Sequence, residues 1–331
     1  MTSDKQGAGP SIYAGVNINN EFIAFWQSGE NALSFFTPKD FYENYPIKDT
    51  CEWKTIRDGY DERGVGEPFS QYDDIVNAAW HYLGFRNVLN RASVAVSTMQ
   101  PGRYYRRIWR GWFKVDGFDS YNPIRPSAYG QQYTRSIVAS SSLFDYLVDI
   151  FRHVEPDQEN LGAFGHKIRE LLILTCTEIE AGWRAVLDNN VREPKSSYTT
   201  RDYVRVKEPL RLEEWSVSLK DYPNLQAFRP FEGWREDCPT KSLGWYDAYN
   251  DVKHHRDAKF AKASLRNLLS AMAALHVVQA AQWGPETYSI LHGNRFSPFD
   301  VVKTPIYKPS ELYIPSIDGK ATAEFALYFD R

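Results

Sequence analysis

The chain has 331 residues, with 39 Lys+Arg against 42 Asp+Glu and a formal charge of −3, and its mean hydropathy is −0.52. That balance excludes a protein that binds nucleic acid through its whole surface, and the 43% hydrophobic and 15% aromatic content excludes an acidic disordered chain. Any polyanion site must therefore be local. The length is that of about two domains, and Cys51, Cys176 and Cys238 form neither a CxxC pair nor a disulfide framework. No apolar run is long enough to span a bilayer, and the start MTSDKQGAGPS lacks the apolar core of a signal peptide. The expectation is a cytoplasmic protein with no membrane contact and no cofactor or metal.

Residues 1–10 are small, polar and Gly-rich, which predicts a disordered tail. Ile12–Ile18, Glu21–Gln27 and Ala32–Phe36 are β-prone runs separated by turn residues, which predicts a small antiparallel meander. Residues 38–68 show no period. From Gln71 the spacing of Ile75, Ala78, Ala79 and Tyr82 predicts a helix, and Val88–Val96 reads as a further short one. A first domain of meander plus helices is expected over 11–135.

A helical bundle is expected over 136–284. Its first helix opens near Ser136, carries Ser140, Phe144, Leu147, Val148, Phe151 and Val154 on one face, and is stopped by Pro156. The second, Gly165–Asp188, is apolar all round at Leu171–Leu174, which predicts a central position. Residues 191–240 read as a proline-rich insert with extended runs at Tyr203–Val206 and Trp215–Leu219. The longest helical signal covers 242–282, broken near Asp257, with a stripe Ala258, Ala261, Leu265, Leu268, Met272, Leu275. Residues 285–331 are expected to wrap over the bundle as irregular or short extended structure. The fold class expected is mainly α.

Two constellations carry chemistry. On a helix, Arg103, Arg106, Arg107, Arg110 and Lys114 fall within an arc of about 100° opposite Tyr105, Ile108, Trp109 and Trp112, a strip suited to an RNA backbone. The alternatives are a surface helix paired with acids, a membrane-surface helix, or an extended turn about Pro101-Gly102 and Gly111. The second constellation is Tyr249-Asn250-x-x-Lys253-His254-His255-Arg256. Extending the downstream stripe backwards puts Asn250 and His254 on the core side, four residues apart and able to approach one ligand together. Lys253, His255 and Arg256 supply positive charge beside them, and histidine suits proton transfer near neutrality. The structural alternative has Asn250 and His254 bonding Glu178 or Glu180. Those two carboxylates point about 160° apart on a helix and cannot share one substrate. His153 and His166 read as surface or capping residues.

This motif followed by an apolar helix, together with the helix Leu171-Leu-Ile-Leu-Thr-Cys-Thr-Glu178-Ile-Glu180-Ala-Gly-Trp183, resembles the HEPN superfamily of helical RNA- and nucleotide-handling domains over 136–282. The resemblance implies an up-and-down bundle that forms a homodimer, and a metal-independent endoribonuclease of a phage-defence or toxin–antitoxin system, with a neutralising protein partner. His254 would be the acid/base, Asn250 would orient the phosphate, and Lys253, His255 and Arg256 would hold charge. The family's motif arginine is replaced by Tyr249. That departure implies either that Lys253 or Arg256 takes its place, or a catalytically inactive nucleotide-binding or scaffold protein in which Asn250 and His254 are structural. No phosphate loop, dinucleotide fingerprint, HExxH or nucleophile elbow is present in the sequence.

Overall fold

The computed structural model describes residues 11–29, 32–36, 50–52, 75–76, 79, 89–111, 114–115, 118–119, 130–288, 295–314 and 324–329. They fall into two compact units, one drawn from 1–104, 110–123 and 306–325, the other from 105–109, 124–305 and 326–331.

The first unit holds an antiparallel sheet of β1 (Ile12–Val16), β2 (Phe22–Gly29), β3 (Ala32–Phe36), β4 (Thr50–Glu52) and β5 (Ala95–Val96), in the order β4-β3-β2-β1-β5. The β1–β2 turn is fixed by Asn17, whose Oδ1 accepts from the amides of Asn19 and Glu21, both at 2.9 Å. Asn20 takes φ 61°, a left-handed conformation that asparagine tolerates. The register Ile12↔Trp26, Ala14↔Ala24 places alternate residues on one face. There Ile12, Ala14, Phe22, Ala24 and Trp26 bury against Leu312 and Ile314. The meander is thus as expected from the sequence, with two further strands added.

Of the short helix expected over Val88–Val96, the described residues 89–96 are not α-helical. Leu89 bridges to Asn17, Arg91–Ser93 makes a single 3-10 turn capped by Asn90, and β5 pairs with β1 through Tyr13↔Val96 and Ala14↔Ala95. A nine-residue helix is marginal by itself, and the open edge of β1 offers the backbone better partners. Ile75, Val76 and Ala79 are helical. Ala78, Tyr82, residues 1–10 and most of 38–68 lie outside the described residues. After β6 (Arg103–Tyr105), β7 (Lys114–Val115) pairs with β8 (Phe118–Asp119). The tail expected over the bundle is divided: Thr98 and Gly102 donate to the carbonyls of Ser310 and Ile314, both at 2.8 Å, within the sheet unit.

The second unit is built on α1 (Gln131–Phe151), α2 (His166–Asn189), α3 (Thr200–Tyr203), β9 (Ser216–Leu219), α4 (Gly244–His254), α5 (Arg256–Lys259) and α6 (Leu265–Trp283). It also contains β10 (Phe299–Lys303), antiparallel to β9, while β11 (Glu324–Ala326) lies at the junction in sequence between the units. Helix direction follows from the contacts. Tyr133 meets Trp283 and Phe144 meets His276, so α1 and α6 are antiparallel. Thr175 bonds Met272, and a Cβ at Gly182 would lie 3.1 Å from Val278, so α2 and α6 run parallel. Arg169 reaches Val252 while Glu180 meets Tyr246, so α4 opposes α2. The four long helices alternate up and down, and the N-termini of α2 and α6 share an end with the C-terminus of α4.

The central helix is α6, not α2. Every residue from Ala271 to Trp283 is buried, whereas Leu174 of α2 is 45% exposed. Within the insert, Val204–Val206 is a 3-10 turn following α3 rather than an extended run, and Ser216–Leu219 is a strand. The insert serves the core. Trp183 contacts Tyr203, Phe231, Trp234 and Trp245, the closest being Trp234 at 5.0 Å between centroids. Much of the aromatic excess is spent here on packing.

Candidate nucleic-acid interface

The helix expected from 242 to 282, with a break near Asp257, falls into three α-helices and a 3-10 turn. α4 ends at His254, α5 covers four residues, Phe260–Lys262 is a 3-10 turn, and α6 restarts at Leu265 behind an extended Ser264 whose Oγ accepts from the amide of Asn267. The breaks reset the helical phase, so the α6 stripe cannot be carried back into α4. Ala258 and Ala261 are exposed, and the buried face of α4 is Trp245, Tyr246, Ala248, Tyr249 and Val252.

That reset moves the predicted site outward. Asn250 is half-buried, and its Nδ2 donates to the Tyr246 carbonyl of its own helix at 2.9 Å. His254, Lys253 and His255 are exposed at the helix end, and Arg256 opens α5 with its side chain outside the described residues. Neither Asn250 nor His254 bonds Glu178 or Glu180, so the core-side pairing is not formed. Glu180 instead accepts from the Tyr246 hydroxyl, and burial with that bond pushes the Tyr246 phenol well above its ordinary range. Tyr249, at the place of the family's arginine, is 1% exposed. Its hydroxyl accepts from Lys253 Nζ at 2.9 Å, a bond that raises the lysine's pKa. Glu178 is raised too, chiefly by burial, with the Arg107 charge opposing.

What the structure does gather is charge at one end of the bundle. Arg169, in the first turns of α2, donates to the Val252 carbonyl from both Nε and Nη2, at 3.3 and 3.0 Å, and so caps α4. The α1–α2 loop meets the start of α6 through Leu265 N to Ala163 O at 2.8 Å, Arg266 N to Leu161 O at 2.9 Å, and a bridge between Phe164 and Ser264. Lys167, Lys253, His254, His255, Lys259, Lys262 and Arg266 are all exposed at this end. Lys167 pairs with Glu170 at 3.7 Å and Lys262 with Asp251 at 3.8 Å. Among the described residues, Lys259 and Arg266 form no ion pair. The N-termini of two long helices add partial positive charge. Exposed cations can attract phosphates at short range, although Glu159, Glu170 and Asp251 lie at the same end.

Among the described residues, the strip from Arg103 to Lys114 forms no helix. Arg103–Tyr105 is β6, Arg106 and Arg107 form a turn, and Lys114 begins β7. Gly102 and Arg107 both take positive φ, 75° and 57°, which breaks helical continuation. Arg107 is 6% exposed; its Nε donates to Gln282 Oε1 at 2.7 Å and its guanidinium lies 4.7 Å from the Trp283 ring centroid. It is a core residue. Arg110 lies over Tyr307 at 5.6 Å, Arg103 and Arg106 are exposed, and the side chain of Lys114 lies outside the described residues. Tyr105 and Trp109 are buried, but in a strand and a non-helical segment rather than on the helix face their spacing implied.

Comparison with family profiles, curated proteins and solved structures finds no match for this chain. The site therefore stands on its own residues. Sequence reasoning found Lys253 to Arg256 but passed over Lys259, Lys262 and Arg266, which it assigned to a core helix. The signal was present, since residues 251–266 hold five Lys+Arg against Asp251 and Asp257. Phe164, His166 and Lys167 join them only through the tertiary fold.

Proposed function

We propose that this protein is an RNA-binding, HEPN-like helical protein whose basic bundle end holds the phosphate backbone. The observation that carries the reading is the convergence of Lys167, Lys253, Lys259, Lys262 and Arg266 around the joined ends of α2, α4 and α6. Phosphate contact requires only accessible cations, which this end supplies. Catalysis requires more: a general acid/base held in hydrogen-bond reach of its proton and oriented by a neighbour. Asn250 is committed to the α4 backbone, and the motif arginine's position is a buried tyrosine. Both features favour binding without cleavage.

A second reading, an endoribonuclease that uses His254 across a dimer, is favoured by one observation: His254 and His255 are both exposed, so a second copy and an RNA can reach them. Purified protein incubated with labelled single-stranded RNA in EDTA separates the two. The binding reading predicts a retarded, intact RNA. Cleavage abolished by His254→Ala would establish the nuclease instead, and neither retardation nor cleavage would remove both.

A further inference from the structure

At the same end of the bundle lies an aromatic cluster of Phe164, Phe260 and His166 that is not buried in the core. Phe164 is 54% exposed, although it sits in a loop pinned by its backbone bridge to Ser264. Its ring stands nearly perpendicular to Phe260, at 87° and 5.9 Å between centroids, and Phe260 in turn lies 4.9 Å from the exposed His166 ring. An edge-to-face contact fixes Phe164 while leaving ring surface open to solvent. Lys259 and Lys262 flank Phe260 in sequence, and Lys167 follows His166. An exposed aromatic ring whose packing partners have lysines beside them in sequence has the composition of a nucleobase platform: the ring takes a base face, and the cations take neighbouring phosphates.

Resting on the RNA-binding reading, we infer that Phe164, supported by Phe260 and His166, stacks an unpaired base, so that the basic end selects single-stranded over double-stranded RNA. In a duplex both faces of each base are already stacked, and only phosphates remain to be contacted. A protein-binding hot spot is the less favoured use of the same ring, because the surrounding lysines carry a strongly hydrated charge that protein interfaces deplete at their cores.

The test is fluorescence anisotropy with three labelled probes: a single-stranded oligoribonucleotide, the duplex of the same length, and a single strand with abasic sites at its centre. The expected result is that Phe164→Ala weakens the single strand by about tenfold, the typical loss for one stacking ring. It should leave the duplex and the abasic strand unchanged, and Phe164→Trp should restore binding. Because Phe164 is exposed, its replacement leaves the bundle intact, and an unchanged melting temperature checks that. Equal weakening of all three probes, or none, overturns the platform while leaving phosphate binding standing. If no probe binds the wild type, the RNA reading itself fails. If Phe164→Ala instead releases the protein from anionic vesicles and not from RNA, the ring is a membrane contact and the inference is wrong.

Discussion

His276 gives the bundle a defined acid response. It lies within the buried run of α6, 2% exposed, with Nδ1 2.7 Å from Ser297 Oγ and its ring packed on Tyr288 and Phe144. Burial, with a smaller contribution from Lys220, depresses its pKa from 6.5 to about 3. The folded state therefore holds neutral imidazole where the unfolded chain takes a proton. The stabilisation is complete above about pH 6.5 and is lost progressively as pH falls toward the folded value. Integrated from pH 7.5 to pH 5, the loss is about 2 kcal/mol, or about 4–8 °C in melting temperature for a unit of this size. Asp202 adds nothing above about pH 5, because its own titration lies lower. The assay is thermal unfolding at pH 7.5 and pH 5.0 of the wild type and His276→Asn. The variant is less stable at pH 7.5 through lost packing, yet its drop on acidification should be smaller than the wild type's by about 2 kcal/mol. Equal drops in the two proteins would refute a buried neutral His276.

Arg107→Ala removes the Gln282 hydrogen bond and the Trp283 cation–π contact, and should destabilise the protein by about 2–3 kcal/mol. Its affinity for RNA should not change; a loss of affinity without a loss of stability would return Arg107 to a phosphate-binding role. Asp202 closes a capping box with Thr199 at the start of α3 and binds Lys195, which together hold its carboxyl at about 2. Asp202→Ala should cost about 1 kcal/mol at pH 7 in urea unfolding. Because the folded pKa is depressed, that difference should fade as pH drops from about 4 toward 2.

The sequence exposed local patterns well and phase across breaks badly. Ile12–Ile18, Glu21–Gln27 and Ala32–Phe36 are short β-prone runs set apart by turn residues, so the meander was legible. α1 and α2 were found because their apolar residues recur over five turns or more. The error at α4 has a specific cause: the stripe through Leu265 and Leu268 was carried across Lys259–Ser264, where 3-10 and extended residues rotate the face. Asn250 and His254 were thereby turned inward, when Tyr246 and Tyr249 hold that side. The strip at Arg103–Lys114 failed for a related reason. A helical projection assumes negative φ throughout, and Gly102 and Arg107 adopt positive values. Phe164 could not have been singled out, since a lone phenylalanine in a loop gains meaning only from Phe260, nearly a hundred residues away along the chain.

The central claim is phosphate binding by the basic end. It is tested most directly by the affinity of a labelled single-stranded RNA across a salt series, for the wild type beside the charge-reversed variant Lys253→Glu, Lys259→Glu, Arg266→Glu. Five cations in contact predict a slope of log K against log salt of about −3.5, and loss of three of them should reduce its magnitude by about 2. A wild type that does not bind, or a variant that binds with the same slope, would contradict it.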